Sequence, residues 1–250
     1  MDNLKNRLAL ITGASRGLGK AVALALGRDG AELALVGRDE VKLKETASEA
    51  EQLGAHASVF VVDVTREGEV QNLAQEIQSH WGRVDILINN AGINVRKPLV
   101  DFTLTEWHSV IDTNLTSAFL MCRSFIPLMR GHGYGRIINI TSTMSHVSLP
   151  GRGAYSASKA GLLGLTRALA LELIGDGITV VAISPGPFAT EFNTTLMNNL
   201  EVNAQIMSKV PLGRWGDPQD IGALARFLCS ENAGYITGTD IVIDGGWTAQ

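Results

Sequence analysis

The sequence predicts a doubly wound α/β domain, a parallel sheet with helices on both faces. Three observations predict it. Short apolar runs alternate with helix-patterned segments from one end of the chain to the other. The first run leads through a glycine-rich turn into the first helix. Most later runs end in small, amide or hydroxyl residues, where an open α/β sheet presents its ligand crevice. No linker, repeat or low-complexity stretch breaks the alternation, so residues 1–250 read as one dinucleotide-binding and catalytic domain.

Leu8–Ile11 is the first run, and it enters Thr12–Gly19. Gly13, Gly17 and Gly19 let the chain turn tightly and bring backbone close to a pyrophosphate, whose charge suits the free amides of a helix N-terminus. Ala21, Leu24, Ala25 and Leu26 continue at helical spacing to Arg28. Glu32–Val36 is the second strand, with Gly37 and Arg38 at its end. A carboxylate there would suit the ribose 2′-hydroxyl of NAD, whereas an Arg suits a 2′-phosphate. Arg38, with Arg16 from the glycine turn, therefore predicts NADP(H); use of NAD(H) would make Arg38 a bystander. Asp39 is placed to cap the helix over Glu40–Leu53. Ser58–Val62 is the third strand, and Asp63 at its end can accept from an adenine amine or begin a turn. A helix over Glu67–Trp81 closes at Gly82. Asp85–Ile88 then leads into Asn89, Asn90, Ala91 and Gly92, a turn of small and amide residues that a cofactor can lie against.

Leu104–Met129 is helical in pattern, with Asn114 near its middle. Asn bonds backbone groups locally and forms helices poorly, so it predicts a local distortion able to hold water. Arg136–Thr141 is the fifth strand, and Ser142 stands just past it. The helix over Ala157–Leu173 is apolar nearly all round, which a subunit interface would explain. Ile178–Ile183 is the sixth strand and ends in Pro185 and Gly186. Thr190–Val210 has the loosest pattern in the chain and is a candidate lid over the substrate. Asp217 and Pro218 open a helix that runs to about Cys229, and Asp240–Ile243 is the last strand.

Tyr155 and Lys159 are four apart, on one face of a helix. An ammonium beside a phenol favours the phenolate and lowers its pKa from about 10. Ser142 can hydrogen-bond the reacting oxygen. Proton transfer at an oxygen is the chemistry these groups suggest. Arg96 is a candidate partner for a substrate carboxylate, and His146, four past Ser142, a candidate pocket residue.

Composition narrows the rest. The formal charge is −4 with no basic run, which argues against nucleic acid or an anionic membrane as partner. Cys122 and Cys229 have no metal-like spacing and read as buried core thiols, so no metal is expected. No run of 18 apolar residues occurs and the first residues lack a signal-peptide centre; a cytoplasmic location is expected.

In order along the chain, Thr12-Gly13-x3-Gly17-x-Gly19, Asn89-Asn90-Ala91-Gly92, Asn114, Ser142, Tyr155-x3-Lys159 and Pro185-Gly186 resemble the short-chain dehydrogenase/reductase family. The resemblance implies a Rossmann fold with seven parallel strands. It implies Tyr155 as acid/base, Ser142 on the substrate oxygen, Lys159 on the nicotinamide ribose, and Asn114 holding a water that links Lys159 to solvent. It extends the cofactor contacts to Ser15, Leu18, Val64, Asn90, Ala91, Gly92, Pro185, Gly186 and Thr190. It further implies a small carbonyl or alcohol substrate and a homotetramer. The Pro211–Pro218 stretch is similar to that of gluconate 5-dehydrogenases and related sugar-acid enzymes, and the chain is also similar to 3-oxoacyl-carrier-protein reductases. The reading from another class is a cofactor-binding sensor or scaffold without turnover.

Overall fold

The computed structural model describes residues 4–249. Seven strands form one parallel sheet: β1 (Leu8–Thr12), β2 (Glu32–Gly37), β3 (Ala57–Val61), β4 (Ile86–Asn89), β5 (Gly135–Ile140), β6 (Ile178–Pro185) and β7 (Asp240–Ile243), in the order β3-β2-β1-β4-β5-β6-β7. The central strands are apolar on both faces because each face is covered by helices. Their side chains divide with the period of two that a strand imposes. Ala9, Ile11, Leu33, Leu35 and Ile88 face the layer of α1 (Gly17–Arg28), α2 (Glu40–Gln52) and α9 (Pro218–Leu228). Leu8, Leu10, Ala34, Val36 and Leu87 face α3 (Glu67–Trp81), α5 (Ser117–Met129) and α6 (Gly153–Leu173). Cys122 and Cys229 are both buried, and burial pushes each thiol up to about 12.

Local chemistry sets the helix ends as the sequence predicts. Asp39 accepts from the Lys42 amide at 3.2 Å, and Asp217 with Asp220 forms a capping box around Pro218. Two boundaries differ from expectation. The segment predicted as one helix over Leu104–Met129 is α4 (Leu104–Ile111), a π-turn over Asp112–Thr116, and α5. The predicted helix over Ala157–Leu173 begins earlier, at Gly153, which puts Tyr155 in its first turn.

The chain order reverses between β1 and β4, the point where an open sheet leaves a crevice at its carboxyl edge. Thr12 pins that crevice open. Its hydroxyl donates to the Ile88 carbonyl at 3.2 Å and accepts from the amides of Asn90 and Ala91 at 2.9 and 3.1 Å.

Residues 190–210 form a short 3-10 turn, then α7 (Thr194–Asn198) and α8 (Leu200–Met207). No residue of these three short elements is buried.

Candidate active site

Two adjoining clefts open at the carboxyl edge of the sheet. The first, about 270 Å³, is lined by Gly13, Ser15, Arg16, Gly17, Leu18, Arg38, Asp63, Val64, Asn90, Ala91, Gly92, Pro185, Gly186 and Thr190, with Ser142, Tyr155 and Lys159 at one end. Of the predicted cofactor contacts only Gly19 lies off this surface. It is buried under the turn, where a Cβ would collide with the Gly13 carbonyl oxygen and the Asn90 amide nitrogen. Its role is to let the turn close, while Gly13 and Gly17 supply the left-handed backbone at φ +65° and +56°. Asn90 holds the turn from the other side, donating Nδ2 to the carbonyls of Thr12 and Gly13 at 2.9 and 3.1 Å.

The residues present fit a dinucleotide. No side chain caps α1, so its first-turn amides remain available to an anion. Arg38 stands exposed at the end of β2, 3.9 Å from Asp63. Asp63 spends its Oδ1 on the Thr65 amide and hydroxyl, at 3.0 and 2.7 Å. Burial opposes ionisation of its carboxyl, but the Thr65 bonds and the Arg38 and Arg66 guanidiniums outweigh burial and hold the pKa below its usual value. The two residues predicted to grip opposite ends of the adenosine are thus within reach of each other.

Lys159 is buried and donates to the Ile140 carbonyl at 2.7 Å; burial pulls its ammonium down to about 8. Asn114 sits in the π-turn. Its Oδ1 accepts from the Ile93 amide at 2.8 Å, and its Nδ2 donates to the Ile93 carbonyl and the Ser158 hydroxyl, both at 3.0 Å. The distortion expected from an Asn at this place is there, and it binds the loop after β4 to α6. Ser142 caps a short 3-10 turn by accepting from the Met144 amide at 3.1 Å, and its side chain also bonds the Tyr155 phenol.

The Tyr155 pKa departs from expectation. Burial pushes the phenol upward, opposed by the Ser142 bond and by the charges of Arg152 and Arg96. Lys159 is not among those opposing influences: its Nζ lies 5.8 Å from the ring centroid and is spent on Ile140. The cations that act on the phenol come from the substrate side.

That side is a second cavity, about 550 Å³. Asn94, Arg96, Ser142, Arg152, Tyr155 and Lys209 supply polar groups to its wall. Met144, Leu149, Leu196, Val202, Ile206, Trp215 and Trp247 make much of the rest, and among the described residues no Asp or Glu lines it. Arg96 reaches it as predicted, donating to the Asn193 Oδ1 at 3.2 Å. His146 does not. Its Nε2 lies 2.7 Å from the Asp240 Oδ2 at the start of β7, an acid that also accepts from the Ser184 hydroxyl at 2.7 Å. Sequence spacing put His146 near Ser142, but the carboxylate drawing it away arrives from a strand nearly a hundred residues later. Arg152 is not singled out by the sequence, and Thr12 enters there only as the first residue of the glycine motif. An Arg three before the Tyr, one helical turn away, was the available signal for the first.

A family model described as enoyl-(acyl carrier protein) reductase matches residues 13–248. The 3-oxoacyl-[acyl-carrier-protein] reductase of Haemophilus influenzae is 37% identical over 243 residues, covering 97% of this chain and 98% of that protein. Gluconate 5-dehydrogenase of Gluconobacter oxydans is 36% identical, covering 99% and 97%. A Beutenbergia cavernae structure provisionally assigned as an NAD(P)-dependent gluconate 5-dehydrogenase, with NADP at low occupancy, superposes with a TM-score of 0.95 at 39% identity and covers 99% of both chains. The chain therefore belongs to the short-chain dehydrogenase/reductase family, oxidoreductases that act on CH–OH groups.

Proposed function

We propose that this protein interconverts a secondary alcohol and a ketone of a sugar acid with NADP(H). The observation that carries the substrate is the second cavity: it meets Tyr155 and Ser142, holds Arg96 and Arg152, and among the described residues no Asp or Glu lines it. An anionic hydroxy or keto compound satisfies the Arg96 and Arg152 guanidiniums; a neutral one leaves the half-buried Arg152 without counter-charge.

Arg38 and Arg16 receive the 2′-phosphate, and the turn from Gly13 to Gly19 receives the pyrophosphate. The nicotinamide, when bound, exchanges a hydride with the substrate carbon. Tyr155 gives or takes the proton at the substrate oxygen. Ser142 holds that oxygen against the phenol, and Thr190 meets the carboxamide. Lys159 holds the nicotinamide ribose. Asn114 holds a water on a proton route from Lys159 to solvent. Residues 190–210 act as a lid: Leu196, Val202 and Ile206 already face the cavity, and Trp215 ties α8 down through Asn203 at 2.7 Å. The working protein is a homotetramer.

A second reading, a 3-oxoacyl-carrier-protein reductase, draws on the apolar part of the same wall and on a relative 37% identical, against 36% for the gluconate 5-dehydrogenase. A thioester carries no charge beside its ketone, and this separates the two. NADPH oxidation is measured with 5-ketogluconate and with a short 3-oxoacyl thioester. Turnover of the keto acid alone is expected, falling roughly 100- to 10,000-fold in Tyr155→Phe, the usual worth of a general acid. Turnover of the thioester alone overturns the sugar-acid reading and leaves the chemistry of Tyr155 in place.

A further inference from the structure

Arg152 immediately precedes α6, one turn before Tyr155, and its side chain makes no cap to the helix it begins. It lines the substrate cavity and not the cofactor cleft. Among the described residues neither Arg152 nor Arg96 forms an ion pair, and the hydrogen bond of Arg96 goes to a neutral amide. Burial pulls the Arg152 guanidinium down to about 10, and the positive charge of Arg96 acts in the same direction. Two guanidiniums close enough to repel, partly desolvated and without a carboxylate, raise each other's energy. An anion between them removes that cost, and the planar fork of a guanidinium matches a carboxylate with two parallel hydrogen bonds.

We propose that Arg152 is the specificity-determining residue that seats the substrate carboxylate, closing with Arg96 an anion clamp beside Tyr155. This rests on the sugar-acid reading for the identity of the substrate and not for the presence of the clamp. Both residues come from elements that also shape the catalytic centre: Arg152 from the start of α6, Arg96 from the loop after β4. A carboxylate seated there fixes the rest of the molecule relative to the phenol. The same two charges that favour the phenolate are then partly neutralised by the substrate, so binding and the proton affinity of Tyr155 are coupled at one place.

The test reads binding rather than turnover, because removing Arg152 also alters the Tyr155 environment. Trp215 and Trp247 line the cavity, so intrinsic fluorescence of the NADPH-loaded protein, in which the titrated alcohols have no oxidant, reports its occupancy. Gluconate is titrated against gluconamide, its neutral counterpart, and 3-hydroxybutyrate against 3-hydroxybutyramide. In the unaltered protein gluconate is expected to bind roughly 10- to 100-fold more tightly than gluconamide, the range for a charge-assisted bond. Arg152→Ala removes that preference by weakening gluconate alone, while Arg152→Lys restores part of it. Unchanged gluconamide binding in Arg152→Ala shows that the cavity is intact. If the gluconate pair is silent and 3-hydroxybutyrate shows the Arg152-dependent preference, the clamp stands and the sugar-acid reading falls. The clamp is overturned if acid and amide are indistinguishable in both pairs, silence included. It is equally overturned if Arg152→Ala weakens acid and amide alike, or leaves the preference untouched.

Discussion

Lys159 shows most directly what the site costs the fold. Its ammonium is buried against the Ile140 carbonyl, and the drop from 10.5 to about 8 is caused by loss of water. Between those values the unfolded chain holds a proton that the folded chain has released, so stability rises with pH across that window, and the full penalty is present below about pH 8. At about 1.4 kcal/mol per tenfold the penalty is of order 3 kcal/mol, against roughly 1 kcal/mol for the hydrogen bond. Lys159→Met is therefore expected to be inactive and more stable by about 1–2 kcal/mol at pH 7, with the gain shrinking towards pH 10. Urea unfolding of both proteins without added cofactor, at the two pH values, checks this. A gain of constant size would mean that the lysine is retained for its packing rather than against its charge. The pairing of Tyr155 with Lys159 was legible because four residues on a helix share a face whatever surrounds them. The charges that tune Tyr155 were not, since Arg96 and Arg152 lie far apart in sequence and are joined only when the loop after β4 meets the start of α6. His146 misled for the same reason, through Asp240.

At the scale of the element, the glycine turn and α1 act as one part. Gly19 lies against the Gly13 carbonyl and Asn90, which is itself tied to Thr12 and Gly13, so neither neighbour can give way. Gly19→Ala is expected to destabilise the protein by about 1–3 kcal/mol, as overpacking does, and to weaken NADPH binding at least tenfold, read by calorimetry. Gly68→Ala is the control: it lies exposed in the first turn of α3 with open space around its Cβ position, and should be neutral or stabilising by about 0.5–1 kcal/mol. Equal behaviour of the two variants would show that helix propensity, and not the closure of the turn, governs Gly19. The strand-turn-helix succession was legible because glycine at a strand end has a steric meaning by itself. The division of the segment 104–129 was legible only at Asn114. The π-turn is held by the Ile93 backbone and Ser158, partners that local pattern does not contain.

Across the whole molecule, α6 joins the site to the outer surface. Ser158, Lys159, Leu162, Leu163, Thr166 and Leu169 turn inward. Ala157, Ala160, Gly164, Ala168 and Leu171 form the opposite stripe at helical spacing and are exposed, Leu171 by 79%. The sequence suggested a helix covered on several sides, yet within one chain this stripe is bare. Small residues there let another backbone approach closely, and exposed Phe119 on α5 and Leu104 on α4 extend apolar surface on the same layer of the sheet. A monomer rarely leaves so much apolar surface in contact with water. Association through α6 would also buttress the helix that carries Arg152, Tyr155 and Lys159, so loss of assembly should reach the chemistry. Ala168→Arg places a charge in the middle of the stripe, away from every residue of the cleft. Light scattering is expected to show a smaller species than for the unaltered protein, and turnover should fall as protein concentration is lowered, with NADPH affinity largely retained. An unaltered protein that scatters as a monomer, or a variant of unchanged mass, would remove α6 from the interface and leave its exposed stripe to be explained by something other than a second copy of the chain.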